Sequence, residues 1–172
     1  IDEWYKDKKQ KEEYRKRGKE LLKLFYGYTK NHPPSPKYLE KSFCLPLGDY
    51  KFTGKIDRAD LKNGGLEIID YKTSEKIPKS SEKKDLDQLH VYQWAAEEFL
   101  GEKVTSLCYW YLQADKEHPF LTEEIAGKEE ITELKQRLLE TIELIVKTVK
   151  YDNFKELHKT VKEHRCDFGN LN

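Results

Sequence analysis

The stretch Gly54-Lys55-Ile56-Asp57-Arg58-Ala59-Asp60-Leu61-Lys62-Asn63-Gly64-Gly65-Leu66-Glu67-Ile68-Ile69-Asp70-Tyr71-Lys72-Thr73 decides the fold. Two runs of strand-forming residues flank Lys62-Asn63-Gly64-Gly65, and Asn-Gly between such runs is a hairpin signal. A two-residue type I′ turn at Asn63-Gly64 sets Lys62 against Gly65. Counting back along the pair puts Asp57 opposite Asp70. Opposed side chains have Cβ atoms roughly 4.5–5.5 Å apart, where like charges destabilise a sheet, so two carboxylates there require a cation. Lys72, two residues beyond Asp70, projects from the same face. Leu66 and Ile68 precede Asp70 and Lys72 on that face, so it begins as core and ends in charge. Thr53, Lys55 and Asp57 are expected on the matching face of the first strand.

Working outward, Lys41 to Leu47 alternates, with Phe43, Leu45 and Leu47 on one side, and Gly48-Asp49 turns it into a strand over Tyr50 to Leu61. With Leu66 to Thr73 these make an antiparallel meander. Upstream, Glu3 to about Lys30 reads as a long basic helix, exposed at first and packed toward its end through Tyr14, Leu21, Leu22, Leu24 and Phe25. Acids interleave its basic residues, which favours a solvated face over a phosphate-binding one. Asn31 to Pro36 is a stiff loop, and His32 in it is read as exposed.

Downstream, Ser74 to Ser81 is a polar loop, and Asp85 to Leu100 a helix stopped by Gly101. Val104 to Gln113 is a core strand. Asp115 to Pro119 is a loop, Phe120 to Ile125 a short strand, and Lys128 to about Lys150 an amphipathic helix through Ile131, Leu134, Leu138, Leu139, Ile142 and Ile145. The order α-β-β-β-α-β-β-α predicts an α/β domain: a central mixed sheet with a three-strand meander, flanked by helices.

The chain has 172 residues and 37% charged side chains that balance to zero net charge. That suits one domain with a real core, 1–172, and excludes the generally basic profile of a histone-like binder. Cys44, Cys108 and Cys166 are an odd number without close spacing, which argues against a disulfide framework and for a reducing cytoplasm. No apolar run reaches a membrane span, so no membrane partner is expected. The first residue is Ile, which suggests a fragment of a larger protein.

Mg²⁺ takes one or two carboxylates together with water and phosphate oxygens. Asp57 and Asp70 supply the carboxylates, and the carbonyl of Tyr71 could add an oxygen. Lysine serves as a base only where it can shed its proton, and two adjacent carboxylates hold that proton on. An electrostatic and positioning role is therefore expected for Lys72. On the next helix Gln88 and Tyr92 are four apart and share a face, within reach of phosphate or of water at the metal.

Gly54-Lys55-Ile56-Asp57-Arg58-Ala59-Asp60, Glu67-Ile68-Ile69-Asp70-Tyr71-Lys72-Thr73 and Gln88-Leu89-His90-Val91-Tyr92, in this order, resemble the PD-(D/E)xK nuclease superfamily. More narrowly, they resemble the RecB-like nuclease domains of UvrD/AddB-type helicases and the CRISPR-associated exonucleases. The resemblance covers roughly residues 18 to 112 and implies a restriction-endonuclease-like core. It also implies a Mg²⁺- or Mn²⁺-dependent deoxyribonuclease, exonucleolytic on single-stranded DNA ends, working beside a helicase in repair or recombination. Asp57, Asp70 and Lys72 take the catalytic positions, with Gln88 and Tyr92 at the site or the DNA. Ile56 stands where the superfamily's name has proline. The family's first-helix histidine has no counterpart: Gly18 is followed by Lys19, Glu20, Leu21 and Leu22. Glu20 and Glu40 are then the candidates for a third metal ligand. The tail, 151–172, resembles the family's iron–sulfur segment but keeps only Cys166, and one thiolate cannot hold a cluster, so none is expected. A zinc site from Cys166, His164 and His158 matches no standard spacing. The alternative is a catalytically inactive DNA-binding or scaffolding module of a helicase–nuclease complex.

Overall fold

The computed structural model describes residues 4–74, 87–113 and 120–151. The chain divides into two compact units, Ile1–Ile131 and Thr132–Asn172. The first holds α1 (Lys8–Asn31), β1 (Pro36–Leu47), β2 (Tyr50–Lys62), β3 (Gly65–Lys72), α2 (Asp87–Glu98), β4 (Val104–Tyr111) and β5 (Phe120–Glu123). α3 (Lys128–Tyr151) begins in it and supplies all that is described of the second.

The five strands form one sheet in the order β1-β2-β3-β4-β5. β1, β2 and β3 are an antiparallel meander, β3 and β4 run parallel, and β4 and β5 antiparallel. A parallel pair needs a crossover, and α2 lies within it, against β1, β3 and β4. The Asn63-Gly64 turn forms as its sequence demands. Both residues have positive φ, 52° and 75°, as a type I′ turn requires. Lys62 pairs with Gly65 and the register runs back to Arg58 opposite Ile69. Gly65 is also obligatory for contact: a Cβ there would sit 2.6 Å from the carbonyl oxygen of Lys103, which accepts the Leu66 N–H at 2.8 Å.

Each face of the sheet is sealed by different residues. Toward α2, Phe43, Leu45, Leu47, Ile56, Leu89, Trp94 and Leu107 are buried. Phe52 stacks on Trp94 with centroids 6.0 Å apart, and Phe43 lies edge-on to Tyr92 at 6.3 Å. Toward α1, Ile69, Cys108 and Trp110 are buried under Phe25 and Tyr28. Burial pushes the Cys108 thiol up to about 12, so it behaves as a small hydrophobe, whereas Cys44 is exposed.

Three sequence expectations are corrected. The apolar line of α1 is narrower than expected: Leu21, Phe25 and Tyr28 are half-buried, whereas Tyr14, Leu22 and Leu24 are exposed. β1 starts at Pro36, not Lys41, because Tyr38 and Leu39 pair with Ala59 and Arg58. Its first residues were masked by the prolines before them and by Glu40, whose φ of 48° is unusual for a strand. That kink explains the third correction. Phe52 meets α2 while Arg58, also even-numbered, meets Tyr71 and Trp110 on the α1 side. Side-chain alternation therefore reverses between them, where Glu40 stands opposite in the register. Thr53 and Lys55 consequently turn to solvent and do not share a face with Asp57.

α3 carries Ile131 and Leu134 buried near its start, but Ile145, expected on its apolar stripe, is 51% exposed. Among the described residues no helix is long and apolar enough to cross a membrane. The Ser74–Ser81 loop beyond Ser74, the start of the second helix at Asp85, the Asp115–Pro119 loop and the tail from residue 152, with Cys166, His164 and His158, lie outside the described residues.

Candidate active site

The register that pairs Arg58 with Ile69, carried one step further, sets Asp57 opposite Asp70. The strands themselves are not paired there. The link is made by a side chain: Asp57 Oδ2 accepts the backbone N–H of Tyr71 at 3.1 Å. Asp70 is 2% exposed although charged. Burial is the main force on it and raises its pKa. Lys72 opposes that rise through hydrogen bonding and charge, and the nearby Asp57 carboxylate adds to it. The two acids expected to converge do so, and neither has been neutralised by a close partner other than Lys72.

Lys72 links the sheet to α2. Its Nζ lies 2.8 Å from Asp70 Oδ2, donates to Gln88 Oε1 at 2.5 Å, and stands over the Tyr109 ring, 4.8 Å from its centroid. Gln88 passes the contact on, its Nε2 donating to Tyr92 Oη at 3.0 Å. The four-residue spacing predicted that Gln88 and Tyr92 would meet, and β3 brings Lys72 to them. With its oxygen accepting from Gln88, Tyr92 keeps its own O–H to donate. Burial holds its pKa up, Gln88 works against this, and the carboxylates Asp70, Asp57 and Glu40 add to the rise. Tyr92 is thus a neutral donor aimed where two carboxylates converge.

Asp70 Oδ2 is buried and has no hydrogen bond of good geometry, only the ion-pair contact with Lys72. Two neighbouring carboxylates with one ammonium between them leave excess negative charge, which costs free energy in a buried place unless a further cation meets it. Two carboxylates and a strand carbonyl are hard oxygen donors of the kind Mg²⁺ and Mn²⁺ take. The residues present fit such an ion.

Of the candidates for a third ligand, Glu40 stands opposite Asp57 in the β1–β2 register and close enough to raise the Tyr92 pKa, whereas Glu20 lies on α1. Glu40 is exposed and pairs with Lys55 at 3.2 Å, and Glu20 is exposed on α1. Among the described residues no group of three His, Cys, Asp or Glu side chains is placed to hold a metal. Of the aromatics near the basic residues of α1 and β1, Phe25 and Tyr28 are packed under the sheet, Tyr26 is exposed, and Tyr38 donates to Glu102 at 2.8 Å. His32 caps α1 and stacks on Tyr28.

Sequence reasoning assigned nothing to Arg58 and Asp60, and both are buried. Arg58 donates to Asp60 through Nε, at 2.6 Å, and through Nη2, and to Tyr71 Oη through Nη1 at 3.2 Å. Burial alone would lower the Arg58 pKa, but the bonds to Asp60 and Tyr71 outweigh it and hold it above the ordinary value. The signal available was two charges beyond Asp57 in a strand segment whose other residues are Ile56, Ala59 and Leu61. They line a cleft of about 260 Å³ on the α1 side, and none of Asp57, Asp70, Lys72 or Tyr92 does.

The family model of the PD-(D/E)XK nuclease superfamily matches residues 2–168. Among solved structures, a chain from Eubacterium rectale described as "Putative exonuclease" is similar at 16% identity and a TM-score of 0.46. The match covers 80% of this chain and 54% of that one, so the chain spans about half the length of that structure. No curated protein matches the sequence.

Proposed function

Because the chain belongs to the PD-(D/E)XK nuclease superfamily, we propose that Asp57, Asp70, Lys72, Gln88 and Tyr92 are its active site and that it hydrolyses phosphodiester bonds of DNA with Mg²⁺ or Mn²⁺. The observation that carries this is the buried Asp70 carboxylate beside Asp57, two like charges that share Lys72 as their close cation. A divalent cation there would neutralise charge developing on the phosphate and make a water acidic enough to attack at neutral pH.

The chain's own residues do the rest. Asp57, Asp70 and the carbonyl of Tyr71 hold the ion. Lys72, held between Asp70 and Gln88, would place its ammonium at the reacting phosphate and orient the attacking water. Gln88 holds Lys72 and Tyr92 in one geometry, and Tyr92 donates to a phosphate oxygen. Glu40 or Glu20 would supply a third carboxylate. Exonucleolytic action on single-stranded ends, beside a helicase in repair or recombination in the cytoplasm, is the finer reading. It is supported by the order of the three motifs and their likeness to RecB-like domains. The single-domain reading of 1–172 and the degenerate iron–sulfur character of 151–172 rest on the same likeness.

The test is cleavage of end-labelled single-stranded DNA with Mg²⁺, Mn²⁺ or chelator. Metal-dependent cleavage that vanishes in Lys72→Ala while DNA binding persists is the expected result. DNA binding with no cleavage under any metal condition would establish the inactive module instead.

A further inference from the structure

We infer that Arg58, Asp60 and the phenol of Tyr71 form a clasp behind the sheet that positions the two metal-binding carboxylates in front of it. This inference rests on the metal-site reading above. The β2–β3 ladder ends at Arg58 opposite Ile69. Asp57 and Asp70 lie just past that end: β1 and β4 hold the two strands on their outer sides, but no ladder pair joins them directly at the acids. Two side-chain bonds do, and both converge on Tyr71. In front, Asp57 Oδ2 accepts the Tyr71 N–H at 3.1 Å. Behind, Arg58 Nη1 donates to Tyr71 Oη at 3.2 Å.

Arg58 is one peptide bond from Asp57, and Tyr71 is one from Asp70 and one from Lys72. The pair of bonds therefore ties together the backbone segments that carry all three charged groups. Arg58 is itself immobilised. Asp60 takes two of its N–H groups, and the Trp110 ring lies 5.7 Å from the guanidinium carbon. Asp60 in turn accepts the Ser35 N–H at 3.3 Å, and the Tyr71 ring packs at 5.5 Å from Trp110 and 5.9 Å from Phe25. A planar guanidinium with three of its donors committed and an aromatic wall beside it has little freedom left.

Groups that orient metal ligands typically matter by 10–100-fold in metal affinity. Arg58, Asp60 and the Tyr71 hydroxyl are thus positioning residues: they touch neither metal nor DNA.

The test is Mn²⁺ affinity of the full chain, by titration calorimetry and by electron paramagnetic resonance of free Mn²⁺, without DNA. Tyr71→Phe removes one oxygen and keeps the ring and the backbone carbonyl. It is expected to weaken Mn²⁺ binding about 10-fold, and Asp60→Asn, which loosens the fork, should do likewise. Val104→Ala, in the core at the far end of β4, supplies a variant of lowered stability whose Mn²⁺ affinity should stay at the wild-type value. Wild-type binding with unchanged affinity in both Tyr71→Phe and Asp60→Asn would overturn the clasp alone. Equal weakening in Val104→Ala would overturn it too, by showing that affinity follows stability. No Mn²⁺ binding by the wild-type chain would overturn the metal site and the clasp together.

Discussion

The two sides of the β2–β3 hairpin bury charge in opposite ways. Behind the sheet, Arg58 and Asp60 are matched, with opposite signs, a two-pronged fork, a phenol and a backbone N–H completing the bonds. In front, Asp57 and Asp70 are alike in sign, and Lys72, paired with Asp70 at 2.8 Å, offsets them. The rear cluster is what a fold can tolerate in its interior. The front cluster raises the free energy of the folded chain, a cost that the proposed metal ion would offset. Stability and activity should therefore respond in opposite directions on the two sides.

Asp70→Asn is the strongest way to break this contrast. Removing the buried charge should cost about 10³-fold or more in cleavage, the scale seen when a group acting on transition-state charge is lost. The same change should raise the melting temperature of the metal-free protein by about 2–4 °C, the shift that about 1 kcal/mol produces in a chain this size. Calorimetry beside a nuclease assay checks both. A variant that is inactive and also less stable would mean that the front carboxylate is structural.

Behind the sheet the sign reverses. Asp60→Ala leaves the Arg58 charge buried without its partner, and should destabilise by about 3–5 kcal/mol in urea unfolding. The double change Arg58→Met, Asp60→Leu should recover most of that, because well-packed apolar replacements of a buried pair are often neutral. Recovery of stability without recovery of metal affinity would separate the two roles of the pair.

Metal and pH sharpen the contrast from the front side. Saturating Mn²⁺, at about 100 times its dissociation constant, adds about 2.7 kcal/mol to stability, and Asp70→Asn should abolish that gain. Without metal, the sign for Asp70 follows from its raised pKa. Its folded value lies above the ordinary 3.8, so the stability it contributes is complete below 3.8 and is lost as pH rises through the folded value. Metal-free wild-type protein should therefore lose stability relative to Asp70→Asn on going upward from pH 4. A parallel pH dependence of the two would remove the argument that burial strains this carboxylate.

Much of the front side was legible in the sequence, and little of the rear. Asn63-Gly64 fixes the hairpin register because only residues tolerant of positive φ make that turn, and register then places Asp57 against Asp70 by counting. Gln88 and Tyr92 meet because helical spacing is periodic. The Arg58–Tyr71 bond has no such period. It depends on the reversal of alternation in β2 opposite Glu40, and on α1 and β4 closing Phe25 and Trp110 around the guanidinium, which are tertiary facts. The third metal ligand was illegible for a related reason: Glu40 lies opposite Asp57 on β1, where its positive φ breaks the alternation that would say which way its side chain turns, and Glu20 lies on α1, outside the sheet.

The smallest expected effect isolates burial as the variable. Lys62 and Glu67 form a second ion pair on the same hairpin, with the same signs as Arg58 and Asp60, but with the Lys62 side chain 45% exposed against 8% for Arg58. Water solvates the Lys62 ammonium there and screens its attraction to Glu67, whose side chain is 15% exposed. Lys62→Ala should thus change stability by no more than about 0.5 kcal/mol, because Glu67 keeps the hydroxyl of Ser106, which donates to it at 3.1 Å. Urea unfolding of Lys62→Ala beside Asp60→Ala makes the comparison within one hairpin. Equal losses would show that position on the hairpin, and not desolvation, governs what an ion pair contributes here, and the contrast between its two sides would fail with it.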